Sequence, residues 1–313
     1  MNESFSDSIR VLVTGGTGFI GQRLVRALSL GGFETWALCR ALDRVPEQWK
    51  GLERYPHLIF CDLTDRGAVE KIKSALNGIT HVIHGAAIIP GSTPPSRQED
   101  FVGNLVMTSN LIACLPSSVC SLIFMSTLDV YGDPLYVPVN EGHPLLPKTL
   151  YAASKVACEQ YLKLILAERT VQLIILRLSQ VYGPGEPVIK AISKFIHSVM
   201  SGQAPILYGA GMSVRDYVYV DDVVDSILLS LRSLRGGVFN VATGKGVTIR
   251  DVAQMVCELS GSQFTPFLKP SDQHETRIVL DITQAREQLG YIPRLTLKEG
   301  LRICLQEVMD GTM

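Results

Sequence analysis

The chain has 313 residues, enough for one large domain or two ordinary ones. Its 29 Lys+Arg against 30 Asp+Glu give a formal net charge of −1, which leaves no electrostatic footprint for nucleic acid or an anionic membrane surface. Apolar residues make up 46%, and no apolar run reaches the ~18–20 residues that span a bilayer, so a soluble chain with a sizeable core is expected.

The polar start, Met1 to Ser8, lacks a basic-then-apolar leader pattern, and a cytoplasmic location is expected. The 7 cysteines are scattered and form no CxxC pair, so most read as small core residues in a reducing compartment. No Cys or His cluster has ligand spacing, and no metal is expected.

In chain order, 9–14 reads as a short buried strand, and a helical pattern follows over 18–30. Further strands are predicted at 33–40, 58–61, 81–84, 122–125 and 173–176, with helices at 66–76, 102–114 and 152–169. Continuous apolar strands alternating with helices predict a parallel sheet covered on both faces. The loop 90–96 follows a strand, where it either borders a site or forms a plain surface turn. After Leu178 the pattern loosens, broken by Pro184, Pro187, Pro205 and a Gly209–Gly211 turn. Helices are predicted again at 188–200, 221–232, 248–259 and 296–309, as in a smaller lobe.

Thr14-Gly-Gly-Thr-Gly-Phe-Ile-Gly21 sits between the first strand and the first helix. Glycines there allow a tight turn and close approach to a pyrophosphate, and the helix start offers free N–H groups to it. The turn predicts dinucleotide binding by Gly15, Thr17, Gly18, Phe19, Ile20 and Gly21. The second strand ends at Arg40, with Arg44 close behind; a guanidinium suits a 2′-phosphate and favours NADP, while Asp43 keeps NAD open.

Tyr151 and Lys155 stand four residues apart, on one face if helical. A cation beside the phenol is expected to lower its pKa, so that the tyrosine exchanges a proton with a substrate hydroxyl. Ser126-Thr127 closes the strand 122–125, where a hydroxyl positions the reacting oxygen or caps the following turn.

Together these residues resemble the extended short-chain dehydrogenase/reductase superfamily, in its NAD-dependent epimerase/dehydratase branch. The resemblance spans nearly the whole chain. Asp62-Leu63 looks like the adenine-contacting pair, and His84-Gly-Ala-Ala87 is similar to the segment beside the nicotinamide. Asn104 stands in a segment like the family's NVxGT helix start. Ser126 to Gly132 matches the stretch that carries the catalytic Ser/Thr, here Thr127. Arg177 to Pro184, Arg215 to Asp222 and Leu289 to Pro293 match three further signatures.

The resemblance implies an α/β fold: a doubly wound Rossmann domain over 1–178, with part of 216–242 returning to it, and a substrate lobe over 179–313. It implies a sugar nucleotide bound between them. Catalytic roles fall to Thr127, Tyr151 and Lys155. Cofactor contacts extend to Gly85, Ala86, Ala87, Ser126 and Leu178, and substrate contacts to Gln180, Arg215 and Arg277, the last otherwise a surface ion pair. A homodimer through a four-helix bundle is implied; Leu105, Leu111 and Ile112 with Val156, Leu162 and Ile165 permit it, or else cover the sheet within one chain.

Three departures matter. Gln180 replaces the usual Asn. Leu128-Asp129 replaces the Asp-Glu pair of the dehydratases, so 4,6-elimination is not expected, and Asp129 is left as a base or a cap. Arg40 replaces the acidic residue usual in the 4-epimerases. The leading expectation is therefore an NADPH-dependent nucleotide-sugar 4-ketoreductase. The alternatives are a 4-epimerase using the same residues and a non-catalytic dinucleotide-binding sensor or scaffold.

Overall fold

The computed structural model describes residues 9–40, 45–89, 98–186, 190–233, 235–272 and 274–310. Asp43, Arg44 and the loop 90–96 lie outside the described residues. The elements run β1 (Arg10–Thr14), α1 (Phe19–Leu30), β2 (Glu34–Cys39), β3 (His57–Phe60), α2 (Ala68–Ile72), β4 (His81–His84) and α3 (Gln98–Cys114). They continue through β5 (Ser121–Thr127), α4 (Leu150–Leu166), β6 (Gln172–Leu178), β7 (Gln180–Tyr182), α5 (Ala191–Met200), β8 (Ile206–Tyr208) and β9 (Val214–Tyr219). The last are α6 (Val220–Arg232), β10 (Gly237–Val241), β11 (Gly246–Thr248), α7 (Ile249–Leu259), β12 (Phe267–Lys269), α8 (Thr283–Leu289) and α9 (Leu297–Met309).

Seven strands form one sheet in the order β10-β6-β5-β4-β1-β2-β3. The pairs β1–β2, β1–β4, β2–β3 and β4–β5 are parallel, as continuous apolar strands predict. The order reverses between β1 and β4, and ligands of open α/β sheets bind beyond the strand ends at such a switch. Leu12, Leu38, Val82, Leu122, Phe124 and Ile175 form one core with Met107, Leu111 and Ile112 of α3 and Cys158, Leu162 and Leu166 of α4. Leu111, Ile112 and Leu162 therefore cover the sheet within the chain, whereas Leu164 and Ile165 of α4 are exposed.

The helix starts explain themselves locally. Thr149 caps α4 by accepting from Ala152 N at 3.1 Å, and Thr296 with Glu299 forms a reciprocal capping box at α9. The stretch predicted as one helix over 66–76 is instead the short α2 followed by a 3-10 turn at Ser74–Leu76. Gly67 and Gly78 bracket it and limit its length.

The chain divides into two compact units. One comprises Met1–Val130, Pro147–Arg177 and Val224–Phe239; the other Tyr131–Leu146, Leu178–Val223 and Asn240–Met313. Residues 131–146, within the range expected for the first domain, thus group with the second unit. There Asp216 of β9, buried, accepts from Thr243 N, Thr243 Oγ1 and Gly244 N at 2.6–2.9 Å and so ties β9 to the segment after β10. Six cysteines are buried and Cys120 is exposed, all as free thiols. Among the described residues no cluster of His, Cys, Asp or Glu could hold a metal, and no helix is long and apolar enough to cross a membrane.

Candidate active site

The glycine turn is packed too closely for side chains. Gly15 has φ +71, and a Cβ on it would lie 2.8 Å from Ala86 N. A Cβ on Gly21 would overlap the Gly15 carbonyl oxygen. That oxygen accepts from Gly18 N at 3.0 Å, which closes the turn. Gly18 precedes α1 without a side-chain cap, and α1 has no acidic residue in its first turn. The helix start thus keeps its N–H groups and positive dipole end for an anion. A backbone cradle that side chains would fill fits a dinucleotide pyrophosphate, with Thr17, Phe19 and Ile20 on its rim.

Across the turn, β4 leads into Gly85-Ala86-Ala87. Thr14 Oγ1 accepts from Ala86 N at 3.1 Å and meets His84 Nδ1 at 2.7 Å. His84 Nε2 meets Thr108 Oγ1 at 3.1 Å, and that hydroxyl donates to Asn104 O. One assignment satisfies every group: a neutral imidazole, accepting at Nδ1 and donating at Nε2. Burial, then the Lys155 charge, push its pKa down to about 3. His84 therefore braces the switch point and stays neutral. Asn104 reinforces it, accepting from Ile88 N at 2.7 Å and donating to Ser154 Oγ at 2.9 Å.

Arg40 stands exposed just after β2. Burial alone would raise the nearby Asp62 carboxyl, but Thr64 donates to it from N (2.8 Å) and Oγ1 (2.7 Å) and Arg40 adds its charge, so it lies below the usual range. Leu63 is buried in the core beneath.

Thr127 ends β5 while Tyr151 and Lys155 lie on the first two turns of α4, and all three belong to the first unit, as does Asp129. Thr127 Oγ1 donates to Asp129 Oδ2 at 3.2 Å and accepts from Asp129 N at 3.2 Å. Lys155 is buried; its Nζ donates to Met125 O at 2.7 Å and lies 4.5 Å from the centre of the Phe124 ring. Burial lowers the ammonium to about 8, against the opposing charges of Cys158 and Glu159.

The phenol differs from expectation. Burial, then the Asp129 carboxylate, raise the Tyr151 pKa rather than lower it. The reason is geometric: Lys155 turns its ammonium to the Met125 carbonyl, and a carboxylate is the charge that acts on the phenol.

Ser126, expected at the cofactor, donates its hydroxyl to Glu159 Oε1 at 2.5 Å. Arg177 of β6 holds the same carboxylate, Nε to Oε1 at 3.2 Å and Nη2 to Oε2 at 2.7 Å. Sequence reasoning passed over Glu159. Its signal was an acid four residues beyond Lys155 in an otherwise apolar helix stretch, with an arginine ending an apolar strand.

In the second unit, Gln180 and Arg215 line one pocket of about 120 Å³, with Tyr182, Glu186, Lys190 and Tyr217. Arg215 Nη1 donates to the carbonyls of Val214 (2.9 Å) and Thr276 (3.0 Å), which sets the direction of its guanidinium. Arg277 is exposed, bridges by backbone to Val214 and makes no ion pair among the described residues. Leu178 is buried at the end of β6.

Known proteins bear on this arrangement. A UDP-glucose 4-epimerase of Mycolicibacterium smegmatis is 32% identical over 309 residues, covering 94% of this chain and 96% of its own. The crystal structure of a UDP-glucose 4-epimerase from Thermotoga maritima with UDP-glucose superposes with a TM-score of 0.85 at 29% identity, covering 97% of this chain and 100% of that one. That of a Thermus thermophilus UDP-glucose 4-epimerase with NAD gives 0.82 at 31% identity, covering 96% and 99%. The pattern of the NAD-dependent epimerase/dehydratase family matches residues 11–242, from β1 through the glycine turn and the Thr127, Tyr151 and Lys155 group to β10. The chain belongs to the NAD-dependent epimerase/dehydratase family, enzymes of the extended short-chain dehydrogenase/reductase type acting on nucleotide sugars.

Proposed function

We propose that this enzyme is a nucleotide-sugar 4-epimerase. The observation that carries the reading is the group at the end of β5: a hydroxyl (Thr127), a phenol (Tyr151) and a buried ammonium (Lys155) beside a glycine cradle, in a chain 32% identical to a named UDP-glucose 4-epimerase.

A nicotinamide dinucleotide, when bound, accepts the C4 hydride and returns it. Gly15, Gly18, Gly21 and the free start of α1 would hold its pyrophosphate, and Asp62 its adenosine side. Lys155 spends one N–H on Met125 O, so two remain for the nicotinamide-side ribose. Thr127 turns its hydroxyl from Asp129 to the C4 oxygen and orients it. Tyr151, entering the step as the tyrosinate, takes the C4 hydroxyl proton at Oη as the carbonyl forms and, now the phenol, gives it back as the hydroxyl is restored on the opposite face. In the second unit, Arg215 and Gln180 offer donors to a diphosphate.

A second reading is an NADPH-dependent 4-ketoreductase. Arg40 favours it, since a guanidinium at the end of β2 suits a 2′-phosphate. So does the raised Tyr151 pKa, because a phenol held protonated is set to donate to a carbonyl oxygen. We also propose a homodimer, for which the exposed Val102 of α3 and Leu164 and Ile165 of α4 offer apolar surface, and a cytoplasmic location, in keeping with seven free thiols.

The test is a panel of uridine and thymidine diphosphate sugars with NAD⁺, NADP⁺ and NADPH, products being identified by NMR. Interconversion of C4 epimers without net cofactor use supports the epimerase. Stoichiometric NADPH consumption by a 4-keto sugar nucleotide without interconversion overturns it in favour of the reductase. Binding of dinucleotide with neither reaction, and biological activity that survives Tyr151→Phe, would return the chain to the sensor reading.

A further inference from the structure

Three successive residues of β5 meet three different demands. The Met125 carbonyl takes the Lys155 ammonium, the Ser126 hydroxyl donates to Glu159, and Thr127 carries the reactive hydroxyl. Glu159 lies one helical turn beyond Lys155 on α4, and the side chains of Glu159 and Arg177 are 0% and 3% exposed. The reaction proposed above uses neither. A buried ion pair costs desolvation that apolar side chains of similar volume avoid, so its place beside Lys155 asks for a reason.

We propose that Glu159 is a positioning residue: with Arg177 it locks α4 onto β5 and β6 at the level of Thr127, and it sets a carboxylate beside the Lys155 ammonium. This rests on the reading of Thr127, Tyr151 and Lys155 as the reacting groups.

Among the described residues, the groups that act on Lys155 come from four elements. From β4 comes His84, neutral because burial and two hydroxyl partners keep it so. From α4 come Cys158 and Glu159, both of which oppose the effect of burial on the lysine. From β6 comes Arg177, held behind Glu159. β5 supplies the Met125 carbonyl and the Phe124 ring, and Thr108 of α3 donates to Cys158 Sγ at 3.3 Å. Without the Glu159 charge, the ammonium loses a carboxylate that opposes the effect of its burial, and its charged form is disfavoured.

The experiment compares wild type, Glu159→Gln and Glu159→Gln/Arg177→Met. It measures the pH profile of turnover and, independently of any sugar, of reduced-dinucleotide affinity by fluorescence. Glu159→Gln is expected to move the alkaline limb of both profiles down by about one pH unit, a shift that a purely structural role would not produce. The double variant removes both ions; it is expected to keep the limb lowered as in Glu159→Gln and to lower turnover tenfold or more, because Ser126 and α4 are no longer fastened together. A folded Glu159→Gln protein with an unmoved limb overturns the proposal. So does a double variant whose turnover falls less than tenfold, which decides the matter alone if the single variant does not fold. A wild type that binds no dinucleotide overturns the functional reading instead, and the two failures are thereby told apart.

Discussion

Lys155 Nζ donates to the Met125 carbonyl at 2.7 Å while resting 4.5 Å from the centre of the Phe124 ring. The ammonium is thus held by one hydrogen bond and an aromatic face, and makes no ion pair among the described residues. Burial brings it to about 8, so it is charged at pH 7 and largely neutral one or two units above its pKa. Turnover is expected to fall as pH rises through about 8, and a profile flat from there into the alkaline range would contradict the assignment. The linkage has a definite sign. Folding depresses the lysine's pKa below its unfolded ~10.4, so the cost of burying the charge is full below about 8 and fades as pH rises toward the unfolded value. Lys155→Met should therefore cost activity but leave the urea midpoint at pH 7 unchanged or higher.

Tyr151 and Asp129 are coupled by like charge. The carboxylate adds to burial in keeping the phenol protonated, and it also receives the Thr127 hydroxyl. Asp129→Asn is expected to let tyrosinate form at lower pH than in wild type, read as the difference in ultraviolet titration between the two proteins. An unchanged or higher midpoint would remove Asp129 from the site. Tyr151→Phe is expected to lower turnover by about 10²–10⁴-fold, with dinucleotide affinity held within about threefold.

Arg40 separates the two cofactors. A charge-assisted hydrogen bond to a 2′-phosphate contributes about 1.5–3 kcal/mol, so Arg40→Ala should weaken NADP(H) binding by roughly tenfold or more. NAD(H) affinity should stay within about threefold. Equal effects on both nucleotides, or none, would leave NADP without support from this residue; isothermal titration with each reduced form decides.

Most of the first unit was legible because its signals are local. The glycine turn announces itself within eight residues, and each parallel strand of four to seven residues has an apolar stretch at its heart. Tyr151 and Lys155 were legible because helical spacing alone puts them on one face. What the sequence does not carry is direction. No pattern tells that Lys155 points at a carbonyl, or that Ser126 donates to Glu159. Glu159 and Arg177 sit 18 residues apart on different elements, so their pairing emerges only when α4 packs beside β6. In the second unit, three-residue strands such as β8 and β12 pair across some 60 residues. Runs that short carry no period to read.

The glycine cradle gives the last test. A Cβ on Gly21 would overlap the Gly15 carbonyl oxygen, the atom that also closes the turn with Gly18 N at 3.0 Å. The turn and α1 must part to accept it, at a cost of about 1–3 kcal/mol. Gly67 is the matched control. A Cβ there meets nothing within 4 Å, and its φ of −95 suits any residue. Gly67→Ala should change stability by no more than about 0.5 kcal/mol and leave dinucleotide affinity untouched. Gly21→Ala should lower the urea midpoint and reduce affinity for either nucleotide by about a hundredfold, since the N–H groups that receive the pyrophosphate move with the helix start. A Gly21→Ala protein that binds dinucleotide as wild type does would place the cofactor somewhere other than this turn.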